Sequence, residues 1–337
     1  MTGSTILTII LNFRTPELTL KATKAAVREM AGLSGEIVIV DNHSEDDSLE
    51  LLSQAIAANG WDKDGHVRIV QSCLNGGFGA GNNLAIRGGL SNGETPDFVY
   101  ILNSDAWPEP GAIRVLSDFL EANPNTGMVG GYVQGVDTEP HQTAFRFPSI
   151  AGEFEAAART GVFSRLLKDS IVALPIPKQD TQVDWVAGAS LMMRRKMLDE
   201  IGLFDETFFL YFEETDLCRR AAKAGWATVY VPESAVIHVG SASTGMKTWQ
   251  RTPVYWFDSR LRYFTKNHGV IYTVLATLAR IAGSLIWRFR RLVSDKPQGD
   301  PDHFLQDLVV HSCKAVIAGR SKHVVAPAHG AIVEDNK

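Results

Sequence analysis

The sequence predicts an α/β protein in which a mixed, mainly parallel, Rossmann-like sheet is flanked by helices and followed by a C-terminal helical extension. Three observations indicate this fold class: short apolar runs typical of buried strands, helical spacing between the runs, and polar residues where each run ends. Strands that alternate with helices in this way pair in parallel through right-handed crossovers. With 337 residues, of which 45% are hydrophobic, the chain can form one large domain of this class with an appendage.

The amino-terminal part of the chain carries the alternation. Strands are predicted at residues 6–11, 36–40, 67–70 and 98–102, and helices at 16–30, 47–58 and 80–88. Ligands of such sheets bind beyond the carboxyl ends of the strands. We therefore expect one crevice to be lined by the polar residues that follow strands: Asn12, Asp41, Asn75 and Asp105.

The remainder of the chain shows weaker patterns. Residues 136–182 contain four prolines and are interpreted as an insertion near the site rather than as a domain. One domain is expected over residues 1–265 and a helical extension over 266–337, with an end that frays after Arg320. Helices are predicted at 153–167 and 208–224, and strand character at 183–193, 227–231 and 235–239.

Charge and cysteine content exclude several classes of function. The formal net charge of −5 gives no overall basic field, so nucleic acid is not expected as a partner. The three cysteines are widely spaced and form no C-x-x-C pair, which argues against a disulfide framework or a zinc site. The amino terminus lacks the basic region and the cleavage site of a signal peptide. The cytoplasm is therefore the expected compartment.

Residues 270–291 are predicted to form an amphipathic helix. Arg280 at its centre and regularly spaced polar residues argue against a membrane span. Two interpretations stay open: a helix that lies among lipid headgroups with its arginines toward anionic lipid, or a helix packed on the protein's own core. The net charge of +6 over residues 260–300 slightly favours the lipid surface. The apolar stripe comprises Ile271, Val274, Leu275, Leu278, Ile281, Ala282, Leu285, Ile286 and Phe289.

Several acidic or metal-binding side chains stand at the ends of predicted elements. Asp105 follows a strand, where a carboxylate either forms a turn or binds Mg²⁺ or Mn²⁺ together with substrate phosphates. His238 ends another strand and, taken singly, is more often structural than a metal ligand. Glu213 and Glu214 stand with Asp216 in the first turn of a helix. Because Glu213 and Glu214 point to different helix faces, at most one is expected to enter the crevice.

The glycine-rich segment of residues 75–83 lacks the G-x-G-x-x-G spacing of a dinucleotide-binding loop, which disfavours an NAD-dependent enzyme. The chain also has no G-x-x-x-x-G-K-[ST] motif. The glycines either let a nucleobase or ribose approach the backbone or form a tight turn before a helix. An acidic crevice without a phosphate loop binds a diphosphate only through a divalent cation, which points to a sugar-nucleotide enzyme.

Seven motifs stand in a fixed order along the chain: residues 9–13, 39–44, 75–82, 102–105, 185–189, 204–217 and His238. In this order they resemble the family-two glycosyltransferases, inverting enzymes with the GT-A fold, and among them bacterial rhamnosyltransferases of polysaccharide assembly. The resemblance covers about residues 5–268. It is specific for the family and not for the sugar.

The resemblance implies roles for individual residues. Asp105 and His238 would hold Mg²⁺ or Mn²⁺, with Asn103 in place of the first Asp of the family's D-x-D motif. Glu214 matches the catalytic base, which is usually Asp in the family. The residues implied to border the acceptor are Trp185, Gly188, Ala189 and Glu213. Those implied to bind the nucleotide-sugar are Asn12, Asp41, Asn75, Gly76, Gly77, Asn82, Asn103 and Asp105.

The function implied by the resemblance is transfer of a sugar from a nucleoside-diphosphate donor, with dTDP-rhamnose as the first candidate. The acceptor would be a glycan or a lipid-linked glycan, reached at the cytoplasmic face of the inner membrane through peripheral contact of residues 270–291. Two alternatives stay open: a nucleotidyltransferase that makes sugar nucleotides, and a catalytically inactive protein that binds nucleotides or carbohydrate. The segment after the first strand has a single Arg and no glycine, which disfavours the nucleotidyltransferase.

Overall fold

The computed structural model of the protein describes residues 3–63, 66–240, 242, 245–294 and 296–317. The strands in these parts of the chain are β1 (Thr5–Asn12), β2 (Ser34–Asp41), β3 (Val67–Gln71), β4 (Phe98–Asn103), β5 (Ala106–Pro108), β6 (Thr126–Gln134), β7 (Pro140–His141), β8 (Ala144–Phe145), β9 (Thr181–Val183), β10 (Trp185–Val186), β11 (Ser190–Arg194) and β12 (Ala227–His238). The helices are α1 (Pro16–Met30), α2 (Ser48–Asn59), α3 (Gly77–Gly88), α4 (Ala112–Ala122), α5 (Ile150–Ala158), α6 (Gly161–Leu166), α7 (Arg195–Ile201), α8 (Glu213–Lys223), α9 (Val254–His268), α10 (Val270–Val293) and α11 (Phe304–Ile317).

Most strands belong to one mixed, mainly parallel sheet, which confirms the predicted fold class. Its order is β3-β2-β1-β4-β11-β6-β12-β5, with β7 paired to β6 and β9 to β12, while β8 and β10 form a small separate sheet. The strands β3, β2, β1 and β4 run parallel, and β11 is antiparallel to both of its neighbours. Asn12 of β1 pairs with Asp41 of β2, and Leu11 pairs with Asn103 of β4. The three strand ends therefore meet at one edge of the sheet.

Buried apolar side chains on both faces hold the helices to the sheet. Because side chains alternate along a strand, Ile6 and Ile10 of β1 pack toward α1 and α4, whereas Leu7 and Ile9 pack toward α3 and α8. Pro16 begins α1, where its missing N–H costs no helical hydrogen bond. The predicted apolar runs are thus the buried centre of the protein, and the polar strand ends are its open edge.

Left-handed backbone conformations change two of the predicted helices. The single helix predicted at 153–167 is divided into α5 and α6, because Arg159 has a φ of 44°. The helix predicted at 208–224 begins only after Phe212, since Tyr211 and Phe212 have φ values of 71° and 67°. Side chains disfavour this conformation, so the sequence pattern gives little warning of it.

The sequence pattern does not predict α4, β6 or α11. Strand β6 has the sequence TGMVGGYVQ. Because glycine is depleted in strands, this pattern does not indicate the buried strand that β6 forms in the middle of the sheet. The two short strands predicted between residues 227 and 239 form one strand, β12, with a bulge between Val231 and Ala235. The chain end that is expected to fray after Arg320 lies outside the described residues.

Helix α10 packs on α5 and α9 through its small and polar face. A Cβ added to Gly283 would lie 2.5 Å from the carbonyl oxygen of Phe154, so this glycine permits the close contact with α5. The predicted apolar stripe instead faces outward, with Ile271 79% and Phe289 67% exposed. Helix α10 therefore packs on the protein, as one of the two interpretations expects, but through its small and polar face rather than through the apolar stripe. The buried residues of α10 are Thr273, Ala276, Thr277, Gly283 and Ser284.

Arg260 of α9 connects the C-terminal helices to α5. Its side chain is buried, and Nε and Nη2 donate to Glu153 Oε2 at 3.0 and 2.7 Å. Nη1 donates to Thr277 Oγ1 of α10 at 3.2 Å. The boundary predicted between residues 265 and 266 falls in the last turn of α9.

Candidate active site

A cavity of about 810 Å³ opens at the edge of the sheet where β1, β2 and β4 end. This is where the strand pattern predicts a crevice. Side chains from distant parts of the chain meet on its wall. Of the residues indicated by the sequence, the cavity is lined by Asn75, Gly77, Asn103, Asp105, Gly188, Ala189, Glu213, Glu214 and His238.

Asn12 and Asp41 lie beneath the loops that border the cavity and do not line it. Both side chains are buried, and Asn12 Nδ2 donates to Asp41 Oδ1 at 2.9 Å. The hydroxyl of Ser44 also donates to Asp41. The next residue, Asn42, lines the cavity instead, and its Nδ2 donates to Asn75 Oδ1 at 2.9 Å. The charged Asp41 at the strand end thus holds the loop through hydrogen bonds, and its neutral neighbour Asn42 lines the cavity.

Three further residues from the predicted site do not line the cavity: Gly76, Asn82 and Trp185. Trp185 stacks on Phe145 across the small sheet, with ring centroids 4.0 Å apart. Asn82 turns inward and donates from Nδ2 to the carbonyl oxygen of Phe78 at 2.9 Å. The contacts observed for Trp185 and Asn82 are therefore structural.

Gly77 brings the start of α3 against the segment that leads to α8. Its φ is 86°, and a Cβ there would lie 1.8 Å from the carbonyl oxygen of Phe209. The N–H of Phe78 donates to the same oxygen at 3.0 Å. Only glycine permits this backbone approach, so the glycine-rich segment has a packing role of its own.

Asp105 and His238 form a polar pair on the cavity wall. His238 Nε2 lies 3.0 Å from Asp105 Oδ1 and 3.3 Å from Asn103 Nδ2, and the N–H of Ala242 donates to Asp105 Oδ2 at 3.3 Å. Burial raises the pKa of Asp105, but the hydrogen bond and charge of His238 and the Ala242 N–H outweigh it, so the pKa lies below its ordinary value. Asp105 therefore presents a carboxylate to the cavity.

This donor set fits a divalent cation that is shared with a phosphate ligand. It offers one carboxylate, one imidazole and the neighbouring amide of Asn103. In the described parts of the chain, no group of three or more His, Cys, Asp or Glu side chains is placed to hold a metal alone. Mg²⁺ is often bound by one or two carboxylates, with substrate phosphates and water as its remaining ligands.

Glu213 and Glu214 both line the cavity, so the expectation that at most one would enter it is wrong. Both belong to the first turn of α8, which begins at the cavity wall. Burial, and then the charge of Glu214, raise the pKa of Glu213 well above its ordinary value. Burial also raises the pKa of Glu214, against backbone hydrogen bonds that include Gly188. The Oε2 atom of each is buried without a hydrogen-bond partner among the described residues, which suits acceptance of a proton from a ligand.

Hydrogen bonds to Asp216 fix the first turn of α8. Asp216 accepts hydrogen bonds from Arg220 Nε at 2.9 Å, from Lys266 Nζ at 2.7 Å and from Asn267 Nδ2 at 2.9 Å. Lys266 also donates to Asp205 Oδ2 at 2.8 Å. The pairing of Asp216 with Arg220 is expected from the i, i+4 spacing, whereas the contacts from α9 are not.

Some lining residues have no predicted role, although Phe78, Phe209 and Tyr211 lie within the motifs that carry the family resemblance. Phe78, His141, Phe209 and Tyr211 line the cavity together with the predicted residues. The available signal is the aromatic run FFLYF at residues 208–212, just before the carboxylates. Its spacing is typical of a helix, so the sequence pattern does not reveal the loop that these residues form at the cavity wall.

Comparison with known proteins places the chain among sugar-transferring enzymes. A family model described as "Glycosyltransferase like family 2" matches residues 6–259. The N-acetylglucosaminyl-diphospho-decaprenol L-rhamnosyltransferase of Mycobacterium tuberculosis is 28% identical over 216 residues, covering 62% of this chain and 68% of the relative. Rhamnosyltransferase WbbL of Escherichia coli is 26% identical over 166 residues, covering 48% and 60% of the two chains.

The fold is also similar to a solved structure. The mannosyltransferase PcManGT from Pyrobaculum calidifontis, in complex with GDP-Man and Mn²⁺, superposes with a TM-score of 0.56 at 14% identity. The match covers 94% of this chain and 81% of that one. At this identity the likeness concerns the fold, which agrees with the sheet described above.

Proposed function

The chain belongs to glycosyltransferase-like family 2, and from this premise we propose that it transfers rhamnose from dTDP-rhamnose to a glycan or lipid-linked glycan acceptor. The chain is a glycosyltransferase with the GT-A fold, and this decides against a nucleotidyltransferase. The choice of rhamnose is supported by the names of the two rhamnosyltransferase relatives, and the choice of a lipid-linked acceptor by the decaprenol in the name of the Mycobacterium tuberculosis relative. The observation that carries the proposal is one cavity that holds both the Asp105–His238 pair and the buried carboxylates of α8.

The proposed reaction is a single displacement with inversion. Glu214 takes the proton of an acceptor hydroxyl while that oxygen forms a bond to the anomeric carbon of the donor sugar. The bond from the anomeric carbon to the diphosphate breaks, and the nucleoside diphosphate leaves with its electron pair. Glu213, whose raised pKa favours its neutral form, limits the negative charge beside the base.

Asp105 and His238 would hold Mg²⁺ or Mn²⁺ with the diphosphate oxygens of the donor. Bound there, the cation supplies positive charge that offsets the charge of the leaving group. Asn103 places a neutral amide where the family motif has a carboxylate, so Asp105 is the one negatively charged side chain in this donor set. Asn42 and Asn75 lie on the wall where the nucleotide end of the donor is proposed to bind.

Donor choice and metal dependence can be tested by thermal shift with dTDP, UDP and GDP, each with and without Mn²⁺. A ligand at about a hundredfold excess over its Kd stabilises the folded chain by about 2.7 kcal/mol. We expect dTDP with Mn²⁺ to give the largest shift, and Asp105→Asn to lose the part that depends on Mn²⁺. The exposed Asp62→Asn is the matched control.

The same proteins should then be tested for transfer. With dTDP-rhamnose and an N-acetylglucosaminyl diphosphate carrying an alkyl chain, we expect a product of inverted anomeric configuration by NMR. A larger shift with UDP or GDP would contradict the donor, and retention of configuration would contradict the mechanism. Donor binding without any transfer or hydrolysis would favour an inactive binding protein.

We also propose that the chain contacts the cytoplasmic face of the inner membrane through α10. The outward stripe contains no charged side chain, and the exposed arginines Arg288 and Arg291 stand at its C-terminal end. In the described part of the chain, Val270–Val293 is also the helix whose length and composition would allow a membrane span, which by itself is weak evidence. Its polar face is held by α5 and α9, which favours a helix lying on the lipid surface.

We expect the protein to float with vesicles that contain phosphatidylglycerol and less with vesicles of phosphatidylcholine alone. Burial of one large apolar side chain contributes about 1.5–3 kcal/mol, so the double variant Leu278→Gln/Phe289→Gln should weaken vesicle binding at least about tenfold. Leu51→Gln, on the exposed side of α2, should bind as the wild type does. Equal flotation of all variants, or dimers that lose their contact in the double variant, would contradict the proposal.

A further inference from the structure

An aromatic cluster stands on the cavity wall directly before the carboxylates of α8. Phe209 and Tyr211 line the cavity, and Tyr255 of α9 packs against both, with ring centroids 5.5 and 6.3 Å away. Trp249 meets the ring of Tyr211 edge to face, at 5.7 Å and 89°. Two further rings therefore hold the ring of Tyr211 in a fixed orientation.

The backbone under this ring is strained. Tyr211 and Phe212 are consecutive residues with side chains in the left-handed region, at φ values of 71° and 67°. Such conformations persist where the surrounding structure fixes them, and they concentrate at functional sites. Here the strained pair ends where α8 begins, so it sets the position of Tyr211 relative to Glu213 and Glu214.

The polar and the aromatic residues of the cavity wall come from different parts of the chain. Asp105 and His238 supply the polar groups of the proposed diphosphate end, whereas Phe209 and Tyr211 supply aromatic rings and precede the proposed base by only a few positions. An aromatic face takes up the C–H face of a pyranose ring and leaves the hydroxyl groups at the ring edge free. A sugar stacked here would hold a hydroxyl group beside Glu214.

We propose that Tyr211 is the platform on which the terminal pyranose ring of the acceptor stacks, with Trp249 and Tyr255 fixing the platform. This inference rests on the proposed function, since it assigns the acceptor side of that site. The ligand class is a pyranoside with an accessible apolar face. The nucleobase of the donor is the competing occupant that the experiment must separate.

The test uses Tyr211→Gly and Tyr211→Phe in the full chain. Glycine removes the ring and its packing against Trp249 and Tyr255, but it also relieves the left-handed backbone, which offsets part of that loss, so the variant should still fold. We expect Tyr211→Gly to raise the KM for the N-acetylglucosaminyl diphosphate acceptor about tenfold, the scale of one aromatic contact. The Kd of dTDP should stay the same, and Tyr211→Phe should restore the acceptor KM.

His303→Gly is the matched control, because His303 also has a positive φ, of 57°, but does not line the cavity. It should leave the acceptor KM unchanged. A weaker Kd for dTDP in Tyr211→Gly would make the ring a nucleobase platform and overturn the inference. A fall in kcat with unchanged acceptor KM would also overturn it, because the segment would then only position Glu214. If the wild type transfers sugar to no acceptor, the proposed function fails first.

Discussion

The Glu214→Gln substitution is expected to lower kcat for sugar transfer by about 10²–10⁴-fold, the usual contribution of a general base. Glutamine keeps the size of the side chain and removes the oxygen that would take the acceptor proton. Donor affinity should stay nearly intact, because the nucleotide is proposed to bind through other residues. The measurements are steady-state transfer rates and the Kd of dTDP for the wild type and the variant.

The matched control is Glu50→Gln on the exposed face of α2, which should transfer sugar at the wild-type rate. Turnover near the wild-type value in Glu214→Gln would refute the assignment. Asp216 is then a poor substitute, because Arg220, Lys266 and Asn267 already occupy its oxygens. Glu213, with a buried and unpaired Oε2, would become the candidate.

The pH dependence of transfer provides a second readout of the same base. Burial raises the pKa of Glu214 above its ordinary value of 4.5. The base acts only when deprotonated, so kcat/KM should rise as the pH increases through this raised pKa, and Glu214→Gln should lack that rise. For stability the sign is opposite: the folded chain holds protons that the unfolded chain releases, so the contribution is largest below pH 4.5 and is lost as the pH rises through the raised pKa.

The Arg260→Met substitution is expected to lower the free energy of unfolding by about 3–5 kcal/mol. It leaves Glu153 buried without its cation and removes the hydrogen bond to Thr277. Urea unfolding followed by circular dichroism measures the change. Because Arg260 joins α5, α9 and α10, the loss should appear in the main transition.

Arg251→Met is the matched control, since the side chain of Arg251 is 65% exposed and that of Arg260 only 2%, so the pair of Arg251 with Asp307 should contribute much less. The double variant Arg260→Met/Glu153→Leu should recover part of the loss, because no uncompensated charge then remains buried. Equal effects of Arg260→Met and Arg251→Met would contradict the role given to the buried pair.

Sequence patterns predict those parts of the protein in which one local signal dominates. The apolar runs of β1, β2 and β4 end at polar residues, and the structure brings these ends to one edge as expected. Asp105, Glu214 and His238 are conspicuous as charged or metal-binding residues at the ends of elements, but the roles predicted for them come from the family resemblance. Their common cavity follows from strand order.

Other parts depend on contacts that no local pattern encodes. The left-handed backbone of Tyr211 and Phe212 is fixed by packing, so a helix is predicted where a loop presents the aromatic rings. Whether Asp41 or Asn42 lines the cavity depends on which of the two side chains forms the hydrogen bond with Asn12. Helix α10 has a clear amphipathic pattern, but the pattern does not reveal that the face with the small side chains packs against the protein.

The ion pairs of Lys266 restrict how the enzyme can be divided or recombined. Lys266 and Asn267 lie beyond residue 265, yet both reach back to Asp216 in the helix that carries the proposed base. A chain cut at that boundary would retain Arg220 as the remaining partner of a fully buried carboxylate. When C-terminal helices are exchanged between relatives, α8 and α9 should therefore be taken from the same protein.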